Sequence, residues 1–172
     1  MARPDALMAR LQAEIDWRQD VARIAGRPVR LPRLTAWYGD AGYRYSGIDN
    51  PPRACPPLLR ELQAVAESVA GAAFNSVLLN LYRDGRDGMG WHADDERPLG
   101  QDPVIASLSF GAVRRFRLKH KAVPGLGLAL DLPSGSCLVM AGSLQHHWLH
   151  ALPKTMRPIG PRINLTFRLI RT

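Results

Sequence analysis

Apolar positions recur at two different periods along this chain, and the change of period divides it. Near the N-terminus Leu7, Leu11 and Ile15 fall every four residues, the spacing of one helix face. A stronger helical pattern follows, with Leu58, Leu62, Val65 and Val69 at intervals of three and four. Arg60, Glu61 and Glu67 lie off that face, and Gly71 marks its stop. From Phe74 onward the period is nearer two. Segments 77–82, 104–110, 115–119, 128–132, 136–140 and 162–169 read as short strands, and Pro133-Ser134-Gly135 reads as a turn. Many short strands behind a helical first half predict a mainly β fold with flanking N-terminal helices around a double-stranded β-helix (jelly roll) core.

Two stretches of the first half have another texture. Val21, Ala22 and Ile24 precede a Gly26-Arg27-Pro28 turn, and Val29 and Leu31 follow it, which predicts a β-hairpin. Arg18, Arg23, Arg27, Arg30 and Arg33 stud it, a pattern that suits an ordinary solvated hairpin or a grip on phosphates. Next, Trp37, Tyr38, Tyr43 and Tyr45 alternate with Gly39, Gly42 and Gly47. The glycines predict a loop, whose aromatics either cover the core or stack on a nucleobase.

Composition narrows the function classes. A chain of 172 residues, 46% hydrophobic, can bury a sizeable core as one domain, residues 1–172. Its two cysteines, Cys55 and Cys137, have no metal-ligand spacing and are too few for a disulfide framework, so a reducing cytoplasm is expected. The chain is also expected to be a monomer. No apolar run approaches the roughly 18 residues of a membrane span, and Met1-Ala2-Arg3-Pro4-Asp5 lacks the apolar core of a signal peptide. With 23 Lys+Arg against 15 Asp+Glu the net charge is +8, which favours a polyanionic partner, nucleic acid before membrane.

The chemistry centres on His92-Ala93-Asp94. Two positions apart on an extended strand share a face, roughly 6.6 Å between Cα atoms. With a second histidine from His146, His147 or His150, these side chains would form a 2-His-1-carboxylate facial triad for iron(II) with open coordination positions. A zinc hydrolase site is the rival use of the same ligands. Arg162, Asn164 and Arg168 share one face of the last strand, as Asn80 and Tyr82 do on an earlier one. Strand interiors rarely aim two arginines inward, since an unpaired buried charge costs several kcal/mol. A dicarboxylate could engage both guanidinium groups.

Taken together, Asn80-Leu-Tyr82, His92-Ala-Asp94-Asp-Glu96, His150-Ala-Leu-Pro and Pro161-Arg162-Ile-Asn164-Leu-Thr-Phe-Arg168 resemble the AlkB family of Fe(II)- and 2-oxoglutarate-dependent dioxygenases, in order from about Leu34 to the C-terminus. The resemblance implies that His92, Asp94 and His150 hold iron. It implies that Arg162 and Arg168 bind the carboxylates of 2-oxoglutarate, helped by Asn80, Tyr82 and Asn164, with O2 as the second cosubstrate. Glu96, Tyr43, Tyr45 and Trp37 would meet the substrate base. Residues 1–50 would then hold the N-terminal helix, the hairpin and a nucleotide-recognition lid, 51–73 a scaffold helix, and 74–172 the catalytic core. The implied activity is oxidative demethylation of N-alkylated bases such as N1-methyladenine and N3-methylcytosine in DNA, single- or double-stranded. RNA or protein as substrate, or a catalytically silent basic nucleic-acid-binding module, are the alternatives.

Overall fold

The structure, a computed structural model, describes residues 3–24, 26–40, 42–45 and 48–171; of residues 23, 24, 43–45 and 49 it describes the backbone. Helix α1 (Pro4–Glu14) buries Leu7, Met8 and Leu11, and Ile15 just beyond it is buried too. Strands β1 (Val21–Ile24) and β2 (Arg27–Arg30) form the expected hairpin, with Ile24 opposite Arg27. The turn is tighter than the sequence suggests. Gly26 sits in it at φ +78°, the left-handed backbone that two-residue hairpin turns use, and Arg27 and Pro28 belong to the returning strand.

The aromatic stretch is corrected in part. Strand β3 (Leu34–Gly39) carries Trp37 and Tyr38, each 3% exposed, so this half is sheet rather than loop. Aromatic side chains favour a half-buried pleated surface, and here that preference outweighs the glycine at the strand's end. Strands β4 (Tyr43–Tyr45) and β5 (Ile48–Asn50) pair as a short ribbon. Helix α2 (Pro57–Ala70) ends at Gly71, whose φ of +63° lets its N–H reach the Glu67 carbonyl. Its buried residues are Leu58, Leu59, Leu62 and Ala66, whereas Val69 is 57% exposed. The small Ala66 and Ala70 turn the last part of the helix toward the core and leave Val69 outside, contrary to the sequence pattern.

The remaining strands are β6 (Ser76–Tyr82), β7 (Met89–His92), β8 (Ile105–Gly111), β9 (Arg114–His120), β10 (Gly127–Leu132) and β11 (Ser136–Met140). A single turn, α3 (Leu144–His147), leads into β12 (Trp148–Leu152), and β13 (Arg162–Arg168) completes the set. They form a five-stranded sheet in the order β11-β8-β13-β6-β3 and a four-stranded sheet in the order β10-β9-β12-β7, all pairs antiparallel. The Pro133-Ser134-Gly135 turn passes the chain from β10 in the smaller sheet to β11 in the larger one. This is the jelly-roll layout.

Alternation along the strands decides where each kind of residue goes. On the larger sheet Val77, Leu79, Leu81, Ala106, Leu108, Phe110, Ile163, Leu165 and Phe167 occupy one face and pack under both long helices in one hydrophobic cluster. The opposite face carries Asn80, Tyr82, Ser107, Ser109, Arg162, Asn164, Thr166 and Arg168, also buried, and looks toward the smaller sheet. The main apolar core thus lies between helices and sheet, and the space between the sheets takes the polar and charged side chains together with Leu78, Met89, Phe116, Met140 and Leu152. Among the described residues no helix is long and apolar enough to cross a membrane.

The helix packing makes a direct prediction. Leu62, 2% exposed, should cost about 2–5 kcal/mol when replaced by alanine. Val69→Ala should change stability by less than about 0.5 kcal/mol. Urea unfolding of the two variants checks this; equal losses would contradict the observed helix face.

Candidate active site

Three chain segments meet in the chamber between the sheets. Strand β7 ends at His92, which lies directly opposite His150 on β12, so antiparallel pairing alone brings the two imidazoles together. Their ring centroids are 4.2 Å apart. Asp94 is not on the strand, as the His-x-Asp spacing suggests, but two residues past its end. Its Oδ1 lies 3.8 Å from His92 Nε2. One ligand atom from each of His92, Asp94 and His150 falls within 4.8 Å of the others, a spacing one metal ion can bridge. Asp94 Oδ1 is buried and accepts no hydrogen bond, and His150 Nδ1 likewise has no partner. Buried polar atoms of this kind are nearly always satisfied, so the donor set fits a cation.

His92 and Asp94 are each held by a contact behind them. His92 Nδ1 lies 2.8 Å from the Gly90 carbonyl, which turns Nε2 toward the carboxylate. Arg168 donates to Asp94 Oδ2 through NH2 at 2.8 Å and Nε at 3.3 Å. The Asp94 backbone N–H donates to Gln145 Oε1 at 2.9 Å. Burial pushes the Asp94 carboxyl up, but Arg168 and the two imidazoles outweigh it and hold it below the ordinary carboxylate range. Burial, with repulsion from His92, pushes the His150 imidazole down to about 4, which keeps it neutral and ready to ligate.

The opposite wall is cationic. Arg162, buried, donates from NH2 to Ser109 Oγ at 2.8 Å, while its Nε has no partner. Burial pushes this guanidinium down to about 10, still protonated at neutral pH. Arg162 lies 5.7 Å from the Tyr82 ring centre. Asn164 donates to Ser107 Oγ at 2.7 Å and to the Leu108 carbonyl. Asn80 accepts from Arg33 Nε at 2.8 Å. The chamber lining therefore brings together Asn80, Tyr82, His92, Asp94, His150, Arg162, Asn164 and Arg168, eight of the residues singled out from sequence.

Other sequence candidates lie elsewhere. Trp37 packs with Leu78, Leu99 and Ile170 and does not line the chamber; Glu96, partly buried, does not line it either. Tyr43 and Tyr45 belong to β4, and their side chains lie outside the described residues. His146 is on the surface, 3.0 Å from Asp102, and His147 stacks on His120, which leaves His150 as the second histidine of the site. The hairpin arginines divide as well. Arg33 is buried against Asn80, Arg18 pairs with Asp20 at 2.9 Å, and Arg27 and Arg30 are exposed. Gln145, Met140, Phe116 and Thr166 contribute to the site without having been singled out in the sequence. Thr166 was legible from the parity it shares with Arg162 and Arg168; Gln145 carried no signal.

Comparison with known proteins agrees with this geometry. A family model described as the 2OG-Fe(II) oxygenase superfamily matches residues 2–168. The human protein named alpha-ketoglutarate-dependent dioxygenase alkB homolog 3 is 39% identical over 175 residues, covering 96% of this chain and 61% of that protein. Human DNA oxidative demethylase ALKBH2 is 38% identical over 181 residues, covering 98% of this chain and 69% of its own length. The chain thus spans about three fifths of the first relative and somewhat more of the second. A solved structure described as the structure of OsALKBH1 superposes with a TM-score of 0.65 at 16% identity, covering 96% of this chain and 90% of that one, a likeness of fold. By these matches this chain belongs to the 2OG-Fe(II) oxygenase superfamily and, within it, to the AlkB homologues.

Proposed function

We propose that the chain is an Fe(II)- and 2-oxoglutarate-dependent dioxygenase that demethylates N-alkylated bases in DNA, such as N1-methyladenine and N3-methylcytosine, by direct reversal with release of formaldehyde. The observation that carries this reading is one chamber in which a two-histidine, one-carboxylate set faces a buried, incompletely paired arginine. His92, Asp94 and His150 would hold iron. Arg162 would take one carboxylate of 2-oxoglutarate through its free Nε, and Arg168 the other while bracing Asp94, with Asn80, Tyr82 and Asn164 shaping the subsite. When bound, iron and 2-oxoglutarate supply the oxidising power that hydroxylates an N-methyl carbon with O2. The chain's own residues keep His150 unprotonated, point Asp94 Oδ1 at the imidazoles and exclude water from the cationic wall.

Substrate choice follows from charge and access. A methyl group inside a duplex is out of reach, so the base must be flipped, and a base that has lost its pairing costs least to extrude. Glu96, with Tyr43 and Tyr45, would receive it, its carboxylate favouring the cationic N1-methyladenine or N3-methylcytosine over the neutral base; Trp37, packed in the core, takes no part in this. Exposed Arg117, Lys119 and Lys121 on the solvent side of the smaller sheet support a polyanionic partner, and Lys119 Nζ lies 4.6 Å over the exposed Trp91 ring. Cys55 and Cys137 are free thiols, in keeping with a reducing cytoplasm.

The deciding experiment incubates the protein with iron(II), 2-oxoglutarate and methylated oligonucleotides, single- and double-stranded, and follows the base by mass spectrometry. Restored base with equimolar succinate is expected. Succinate formed while DNA stays methylated and methylated RNA is repaired would move the substrate to RNA; no succinate at all would overturn the reading. In the same assay His92→Ala, Asp94→Ala and His150→Ala should each abolish turnover, because three ligands are the minimum for an open facial site, while His146→Ala stays near wild type.

Arg162→Ala should raise the 2-oxoglutarate concentration needed for half-maximal rate by at least about tenfold, since a buried charge-assisted contact is worth roughly 1.5–3 kcal/mol. An unchanged requirement would place the carboxylate site elsewhere. For the hairpin, replacing Arg27 and Arg30 together by alanine should reduce duplex repair more than single-strand repair and flatten the salt dependence of duplex binding. Equal losses on both substrates would make the hairpin a general phosphate grip.

A further inference from the structure

Asp94 has an awkward backbone position. Strand β7 ends at His92, so no ladder hydrogen bond holds the chain where the metal-binding carboxylate sits. Its N–H is instead taken by the side chain of Gln145, 1% exposed and so as deeply buried as the apolar core. The other end of that amide is also committed, with Nε2 3.8 Å from the sulfur of Met140, a chamber-lining residue. Gln145 stands on α3, five positions before His150. Lys121, at the end of β9, fastens the same junction from outside by donating to the Gln145 carbonyl at 2.8 Å and to Asp95 Oδ2 at 3.3 Å. One side chain therefore ties the loop that carries Asp94 to the segment that carries His150.

We infer that Gln145 is a positioning residue of the metal site, fixing the Asp94 backbone so that its carboxylate and His150 reach one ion together. This rests on the triad being the metal site. An amide suits the position because it offers a strong acceptor without adding a second buried negative charge beside Asp94. A hydrophobic residue of the same length would fill the space and orphan the Asp94 N–H. Contacts behind metal ligands typically control affinity about 10–100-fold.

The test measures manganese(II) binding by electron paramagnetic resonance of the free ion, with redox chemistry silent. Wild type should bind one ion, and His92→Ala should lose it; if wild type binds none, the triad assignment itself fails. Gln145→Met should weaken binding about tenfold while circular dichroism and the fraction of folded protein stay as in wild type. Manganese affinity of Gln145→Met within twofold of wild type would overturn the inference. If Gln145→Met does not fold, surface variant Lys121→Met decides, with about two- to threefold weakening expected and unchanged affinity overturning the inference.

Discussion

Two ionised side chains, one from each side of the chamber, are bonded where water does not reach. Arg168 on β13 holds the Asp94 carboxylate at 2.8 Å, the guanidinium 3% and the carboxylate 1% exposed. Desolvating such a pair costs several kcal/mol per ion, and only good geometry offsets it; removing one partner strands the other at about 3–5 kcal/mol. The contact spans the sandwich, from the larger sheet to the segment leaving the smaller one. Because Oδ2 is engaged by Arg168, Oδ1 is the oxygen turned toward the imidazoles. The pair therefore ties the two sides of the chamber together and sets both the ionisation of the Asp94 carboxylate and its direction.

A polar interior between two sheets has to be supported by an apolar core elsewhere. In this chain the two long helices supply it: Leu7, Leu11, Leu58, Leu59 and Leu62 cover the far face of β6, β8 and β13. Residues on that face are as buried as any in the molecule, with Ile163, Leu165 and Phe167 all at 0%. On the chamber face the packing is of large against small. Arg162 reaches Ser109, and Asn164 reaches Ser107, so the diagonal neighbours of these side chains on β8 are short hydroxyls that leave room and accept hydrogen bonds. The helices are thus part of the site's energetics even though none of their residues lines the chamber.

How much of this was legible in the sequence depends on how local each cause is. Strand β13 was readable in full because period-2 parity alone separates Ile163, Leu165 and Phe167 from Arg162, Asn164 and Arg168. The histidine-carboxylate set was readable, but its geometry was not: strand β7 stops short of Asp94, and the contact that holds Asp94 comes from Gln145, 51 positions away. Strand β3 was hidden by its flanking glycines, although Trp37 and Tyr38 favour a sheet. For α2 the period was right and the face was not, because small alanines near its end, rather than the valines, approach the sheet. Arg33 was counted with the hairpin's arginines, and only the fold shows it turned inward to Asn80.

The balance of charge inside the chamber narrows the chemistry further than the metal ligands do. Two guanidinium groups face one carboxylate there, and that carboxylate already has Arg168 as its partner. Arg162 keeps its proton at neutral pH despite a value pushed down to about 10 by burial, and its Nε remains without an acceptor. A cation bound by His92, Asp94 and His150 would add positive charge to a space that already has an excess. Such an arrangement becomes favourable when an anion enters with the metal and bridges both. A hydrolytic metal site needs only water at its open position and would leave Arg162 as an uncompensated cost. A dicarboxylate that contacts Arg162 at one end and lies against the metal at the other removes that cost, and it makes the affinities for metal and cosubstrate mutually dependent.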